Sequence, residues 1–118
     1  MDNRVLKWLY DIKMAIDEID AYFVGKEMDF FEYRKNTMLK RAVERDIEII
    51  GEAVNRILKK DKIFASKISD AKAIISLINQ VIHSYDSISD ENIWSIIINH
   101  IPKLKQEVEL LINNTENL

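Results

Sequence analysis

The sequence predicts an all-α protein folded as an antiparallel bundle of four to five helices, with a kink in the last. Three observations carry this. The chain of 118 residues has two glycines and one proline, too few for the chain reversals of a strand-and-turn fold. Its apolar residues recur at steps of three and four rather than two. Finally, residues suited to capping stand where each periodic stretch begins or ends. The length suits one domain, 1–118, with one core.

The first helix is expected from about Asp2 to Phe23, because Val5, Leu9, Ile12, Ile16, Ile19 and Phe23 form one apolar stripe. Gly25 should end it by adopting positive φ. Asp29, with Glu32 three residues on, marks a capping box for a long second helix from Phe30 to Lys59. Its buried side is Ala42, Val43, Ile47, Ile50, Val54, Ile57 and Leu58. Gly51 interrupts that helix at a cost of about 1 kcal/mol against alanine, so it is expected where another helix crosses closely.

"KKDKIFASKISD" reads as a polar connector, with Ser69 capping a third helix whose apolar side is Ala71, Ile74, Ile75, Ile78, Ile82 and Tyr85. Ser87 or Ser89 caps the fourth, where Asp90 and Glu91 suit the positive end of the helix dipole. Pro102 has no amide hydrogen, so the chain should kink or restart near His100 before "PKLKQEVELLI". His100 is read as structural, and Trp8 and Trp94 as core or interface aromatics.

Composition narrows the function classes. A net charge of −3 argues against gripping nucleic acid by bulk charge, so any RNA contact needs a local basic patch. With no cysteine, disulfides and thiolate metal sites are excluded, and two histidines seventeen residues apart make no metal-ligand pattern. No apolar run is long enough for a membrane span, and "MDNRVLKWLYDIK" is too charged for a signal peptide. A cytoplasmic protein is expected.

The chemistry-bearing residues converge on "IISLINQVIHSYDS". Asn79 and His83 are four apart and stack on one helix face, with Asp86 three further on. Such a pair can donate and accept hydrogen bonds, and a histidine can move a proton near neutral pH. Taken alone, His83 is equally an ordinary hydrogen-bonded residue near a helix end, and Tyr85 an ordinary core tyrosine with its hydroxyl at the rim. Arg34, Arg41 and Arg45 are placed on one stripe of the second helix. They can face RNA phosphates or an acidic partner, or form a solvated face paired with Glu44 and Glu48.

"VERDIEIIGEAVNRI", "INQVIHSYD" and "ENIWSIIINHIPKLKQEVELLI", in that order, resemble the HepT-like branch of the HEPN superfamily, and the resemblance spans essentially the whole chain. It implies a helical bundle that forms a homodimer, and the toxin of a type VII toxin–antitoxin pair. The partner would be a minimal nucleotidyltransferase (MNT) antitoxin. The activity implied is endoribonuclease cleavage without metal or cofactor. The family motif is Arg, four residues, His, one residue, Tyr. His83 and Tyr85 match it, and Asn79 fits the polar residue after the arginine.

The arginine position itself is Ile78. By the resemblance, His83 would act as acid or base on the RNA, while the arginine would hold the phosphate and stabilise its developing charge. Isoleucine does neither, which should cost on the order of 10²–10³ in rate. Either the gene has drifted, or Ile78 is an inactivating replacement of an arginine one base change away. Tyr85 would be the site to which the antitoxin adds AMP, filling the cleft with negative charge. Arg45 and Glu52 lie in the family-like run, and Arg45 is a candidate to replace part of the missing charge. The alternative reading is a non-catalytic subunit that docks a nucleotidyltransferase.

Overall fold

The computed structural model describes residues 2–82 and 89–116. His83, Tyr85, Asp86 and Ser87 lie outside the described residues. Seven helices are present among those described: α1 (Asn3–Tyr22), α2 (Phe30–Lys35), α3 (Thr37–Lys60), α4 (Lys62–Ala65), α5 (Ala71–Ile82), α6 (Asp90–Asn99) and α7 (Ile101–Glu116). Five are of ordinary length and two are single-turn pieces, so the expected all-α bundle is the one observed. No helix among the described residues is long and apolar enough to cross a membrane.

The predicted stripe of α1 is its core face. Val5, Leu9, Ile12, Ile16, Ile19 and Phe23 are all buried. Asp2 caps the helix by accepting from the Arg4 amide at 2.7 Å. Gly25 takes φ +74° just past the helix end, the left-handed conformation that glycine adopts without a Cβ penalty.

The long second helix is a correction: it is two helices, broken at Asn36. Asn36 has an extended backbone (φ −99°, ψ 95°), and its side-chain oxygen accepts from the Leu39 amide at 3.0 Å. A short polar side chain that satisfies an orphan amide makes a new helix start there, outweighing continued helix. Asp29 caps α2 by accepting from Phe31 at 2.8 Å, as expected of it. The break removes Arg34 from the register of Arg41 and Arg45, so the predicted three-arginine stripe does not exist.

The polar connector also holds more structure than expected. Asp61 accepts from the Phe64 amide at 2.9 Å and starts α4, which buries Phe64 and Ala65. Ser69 does not act as the expected cap. Its amide and hydroxyl both donate to the Glu107 carboxylate, at 2.9 and 3.1 Å, which fastens the start of α5 to α7. Of the two candidate caps for α6, Ser89 accepts from the Asn92 amide at 3.2 Å. Helix α6 ends at Asn99 and α7 restarts at Ile101, around Pro102 as predicted.

Helix α3 is the hub of the bundle. It packs most extensively on α1 and next on α5, while α1 also meets α7. Val43, Ile47, Ile50, Val54 and Ile57 are fully buried, whereas Ala42 and Leu58 sit at the edge of that face. At the other end of the bundle Trp94 collects Phe23, Phe30 and Tyr33, with ring centroids 5.3 to 6.0 Å apart. Trp94 is therefore a packing residue, and Trp8 is half-buried against the same core.

Candidate functional site

Of the residues singled out from the sequence, Gly51, Glu52, Ile78 and Asn79 meet where α5 crosses α3. Helix α5 starts beside Leu58, which lines one cavity with Ala71, Lys72 and Ala73. Seven residues later Ile78 lies against Gly51, so the two helices run antiparallel. A Cβ placed on Gly51 would lie 2.7 Å from Ile78 Cγ2 and 3.4 Å from its Cβ. That is the close crossing expected of this glycine, and the residue it makes room for is Ile78.

Above this contact is a cavity of about 180 Å³ lined by Glu48, Gly51, Glu52, Asn55, Ile78, Asn79 and Ile82. Ile78 is buried, 3% exposed, and forms part of the apolar floor. Asn79 and Glu52 are exposed and contribute to its polar wall. Glu48 and Asn55 join them through helical periodicity, because 48, 52 and 55 repeat by four and three along α3. The described lining thus offers two carboxylates and two carboxamides over an aliphatic floor.

The arginines are elsewhere. Arg41 donates to both carboxylate oxygens of Glu44 at 2.8 Å, and Arg45 stands 3.9 Å from Glu48. Both guanidinium groups are mostly exposed, and neither lines the cavity. The paired, solvated arrangement is the one found, with Arg45 lying at the cavity's edge through Glu48. Larger cavities exist, including one of about 660 Å³ beside the α2–α3 junction, but it holds none of the motif residues.

Glu48 was read from the sequence only as an ion-pair partner and Asn55 not at all, although their spacing to Glu52 and Gly51 would have placed both at the site. Asp46 was also missed. It is 2% exposed and accepts from the Tyr22 hydroxyl at 3.0 Å across the α1–α3 interface. Burial, together with a hydrogen bond that the protonated carboxyl donates to Glu18, pushes its carboxyl up to about 6. Burial and the bond to Asp46 push the Tyr22 hydroxyl up to about 12. The signal was a carboxylate on the apolar stripe of α3, between Val43 and Ile50.

Comparison with known proteins identifies the family. Residues 12–111 match the family described as "Ribonuclease HepT-like". Proteins of Methanocaldococcus jannaschii are similar over nearly all of both chains, among them the following two. "Putative RNase MJ1380" is 35% identical across 94% of this chain and 100% of its own. "Putative RNase MJ0125" is 33% identical across 98% of each. "Putative RNase TTE0752" of Caldanaerobacter subterraneus is 33% identical over 74% of this chain and 77% of its own. No solved structure matches. The chain therefore belongs to the HepT-like ribonuclease family of the HEPN superfamily.

Proposed function

We propose that the chain is the toxin of a toxin–antitoxin pair, acting in the cytoplasm on RNA as a homodimer, with its nuclease chemistry suppressed by Ile78. The observation that carries this reading is the Ile78–Gly51 contact, taken with family membership. The motif position that would need a phosphate-binding guanidinium is occupied by a side chain packed into a helix crossing. Its surroundings have room for arginine. Arginine is unbranched at Cβ, so it lacks the Cγ2 that lies nearest Gly51. Its stem can lie over the glycine while the guanidinium emerges beside Glu48 and Glu52. With isoleucine, two carboxylates rim the cavity without that cation, and they repel an RNA phosphate.

In this reading His83 is the proton-transfer group and Asn79 its polar neighbour at the cavity wall. Tyr85 is the residue to which a nucleotidyltransferase antitoxin adds AMP. An isologous dimer would bring two copies of His83 toward one two-fold axis.

Growth and RNA integrity in cells test this. Ile78→Arg is expected to arrest growth and degrade RNA where the parent does not, and co-expressed antitoxin should relieve the arrest while adding the mass of AMP to Tyr85. Growth unchanged by Ile78→Arg removes the nuclease reading. An unmodified Tyr85 in relieved cells removes the AMP step. The second reading, a binding subunit that docks a nucleotidyltransferase, rests on the same isoleucine and predicts a stable complex with Ile78 in place.

A further inference from the structure

The cavity rim is acidic, the two motif-proximal arginines are engaged by carboxylates, and the chain is acidic as a whole. An RNA strand must therefore find its cations somewhere else. Six lysines and arginines and two aspartates fall between residues 56 and 72, a local charge of +4 in a chain whose total is −3. The fold gathers them at one end of the molecule, where α3 ends, α4 turns and α5 begins. Arg56, Lys59, Lys62 and Lys72 are all exposed. None has a carboxylate partner among the described residues, while Lys60 pairs with Asp2 at 3.7 Å and Lys67 lies over the Phe64 ring.

This end is continuous with the candidate site. Along α3, Glu52, Asn55 and Lys59 follow by three and four on one face, so Lys59 lies about 10 Å beyond Glu52. Along α5, Lys72, Ser76 and Asn79 are all exposed and repeat by four and three, again about 10 Å end to end. Because the helices are antiparallel, Lys59 and Lys72 are at the same end of this shared surface. Lys62 and Lys72 also line a cavity of about 460 Å³ with Ser66 and Ser69 between α4 and α5.

We propose that Arg56, Lys59, Lys62 and Lys72 form a docking surface for the phosphates of single-stranded RNA, from which the strand runs onto the Ile78–Asn79 cavity. Unpaired lysines at this spacing hold phosphates as point charges without reading sequence. They supply the attraction that the acidic rim lacks, and a strand held there is delivered two helical turns from the motif. The proposal rests on the RNA-directed function above.

The test is fluorescence anisotropy of a labelled 20-nucleotide single-stranded RNA with the full-length parent protein across a range of potassium chloride. Neutralising the patch (R56Q, K59Q, K62Q and K72Q together) should weaken binding at least tenfold at 100 mM salt. The slope of log affinity against log salt should flatten by about 2 to 3, given about 0.7 per phosphate contact on a single strand. Two oligonucleotide sequences should lose affinity equally, and K13Q/K105Q, which removes lysines paired with Asp17 and Asp20 away from this surface, should change it less than twofold. Circular dichroism melting checks that the variants are folded, and the pairs R56Q/K72Q and K59Q/K62Q replace the quadruple variant if it is not. Parent and patch variant binding within twofold of each other would overturn the docking surface and leave the RNA reading standing. A parent that binds no RNA removes both. If polyglutamate displaces the RNA as well as unlabelled RNA does, the surface takes acidic polypeptide and the proposal is wrong.

Discussion

Helix α3 has two working sides, and they are built on opposite principles. Toward α1 it is sealed: the two helices pack extensively, and Val43, Ile47, Ile50 and Val54 of α3 and Leu9, Ile12, Ile16 and Ile19 of α1 are all essentially without solvent exposure. A single carboxylate, Asp46, is tolerated there, held by Tyr22. Toward α5 the same helix has a glycine, a tight contact with Ile78, and then an open rim of Glu48, Glu52 and Asn55. One side secures the fold by volume, the other gives up side-chain volume to bring a motif helix close. Substitutions on the first side should therefore be felt as stability, and those on the second as stability and function together.

The largest stability effect should come from the sealed side. Ile47→Ala removes a fully buried side chain and should cost about 2 to 5 kcal/mol in denaturant unfolding. Gly51→Ala comes next. Helix propensity favours alanine by about 1 kcal/mol, but the new methyl meets the Cγ2 of a β-branched side chain that cannot rotate away freely. Overpacking should win, with a net loss of about 1 to 3 kcal/mol. Combining it with Ile78→Ala should recover most of the Gly51→Ala penalty, because the clash partner is gone. Additive losses would show that the crossing is not made by this pair.

Asp46→Asn probes the polar exception on the sealed side. Its folded-state carboxyl is raised to about 6 from an ordinary 3.8, so its stabilising contribution is present below about pH 4 and is lost as pH rises through 6. Asparagine can still accept from Tyr22 and can donate to Glu18. The variant should be more stable than the parent at pH 7.5, by on the order of 1 kcal/mol, and the difference should vanish near pH 4. A variant less stable at pH 7.5 would show that the charge of Asp46 supports the interface. The smallest effect is expected at Arg41. Its bond to Glu44 is short, but the guanidinium is mostly exposed, so Arg41→Gln should shift stability by no more than about 1 kcal/mol.

The sealed side was the more legible of the two in the sequence, since burial of an apolar stripe follows directly from periodicity. What periodicity missed there was Asn36, where one side-chain hydrogen bond splits a helix whose apolar pattern continues across the break. Ser69 was misread for a related reason: a capping residue type does not reveal that Glu107, thirty-eight residues away, will take its hydrogen bonds. On the open side, Gly51 marked a close crossing and Ile78 marked a departure from the family motif, but their mutual contact was not legible. Helical spacing places residues on a face and does not say which face meets which. Asn79 and Glu52 are found together at the cavity, while Arg45 is found at its edge, because the rise and turn of α3 separate it from them.

The central claim is that the α3–α5 cavity is a ribonuclease site held short of catalysis by Ile78. Its most direct test is the rate at which purified protein cleaves single-stranded RNA in the presence of a metal chelator. Ile78→Arg should raise that rate at least about 100-fold over the parent, the contribution of one transition-state charge donor, and His83→Ala should abolish the gain. A rate for Ile78→Arg no higher than the parent's, or a gain that survives His83→Ala, would contradict the account.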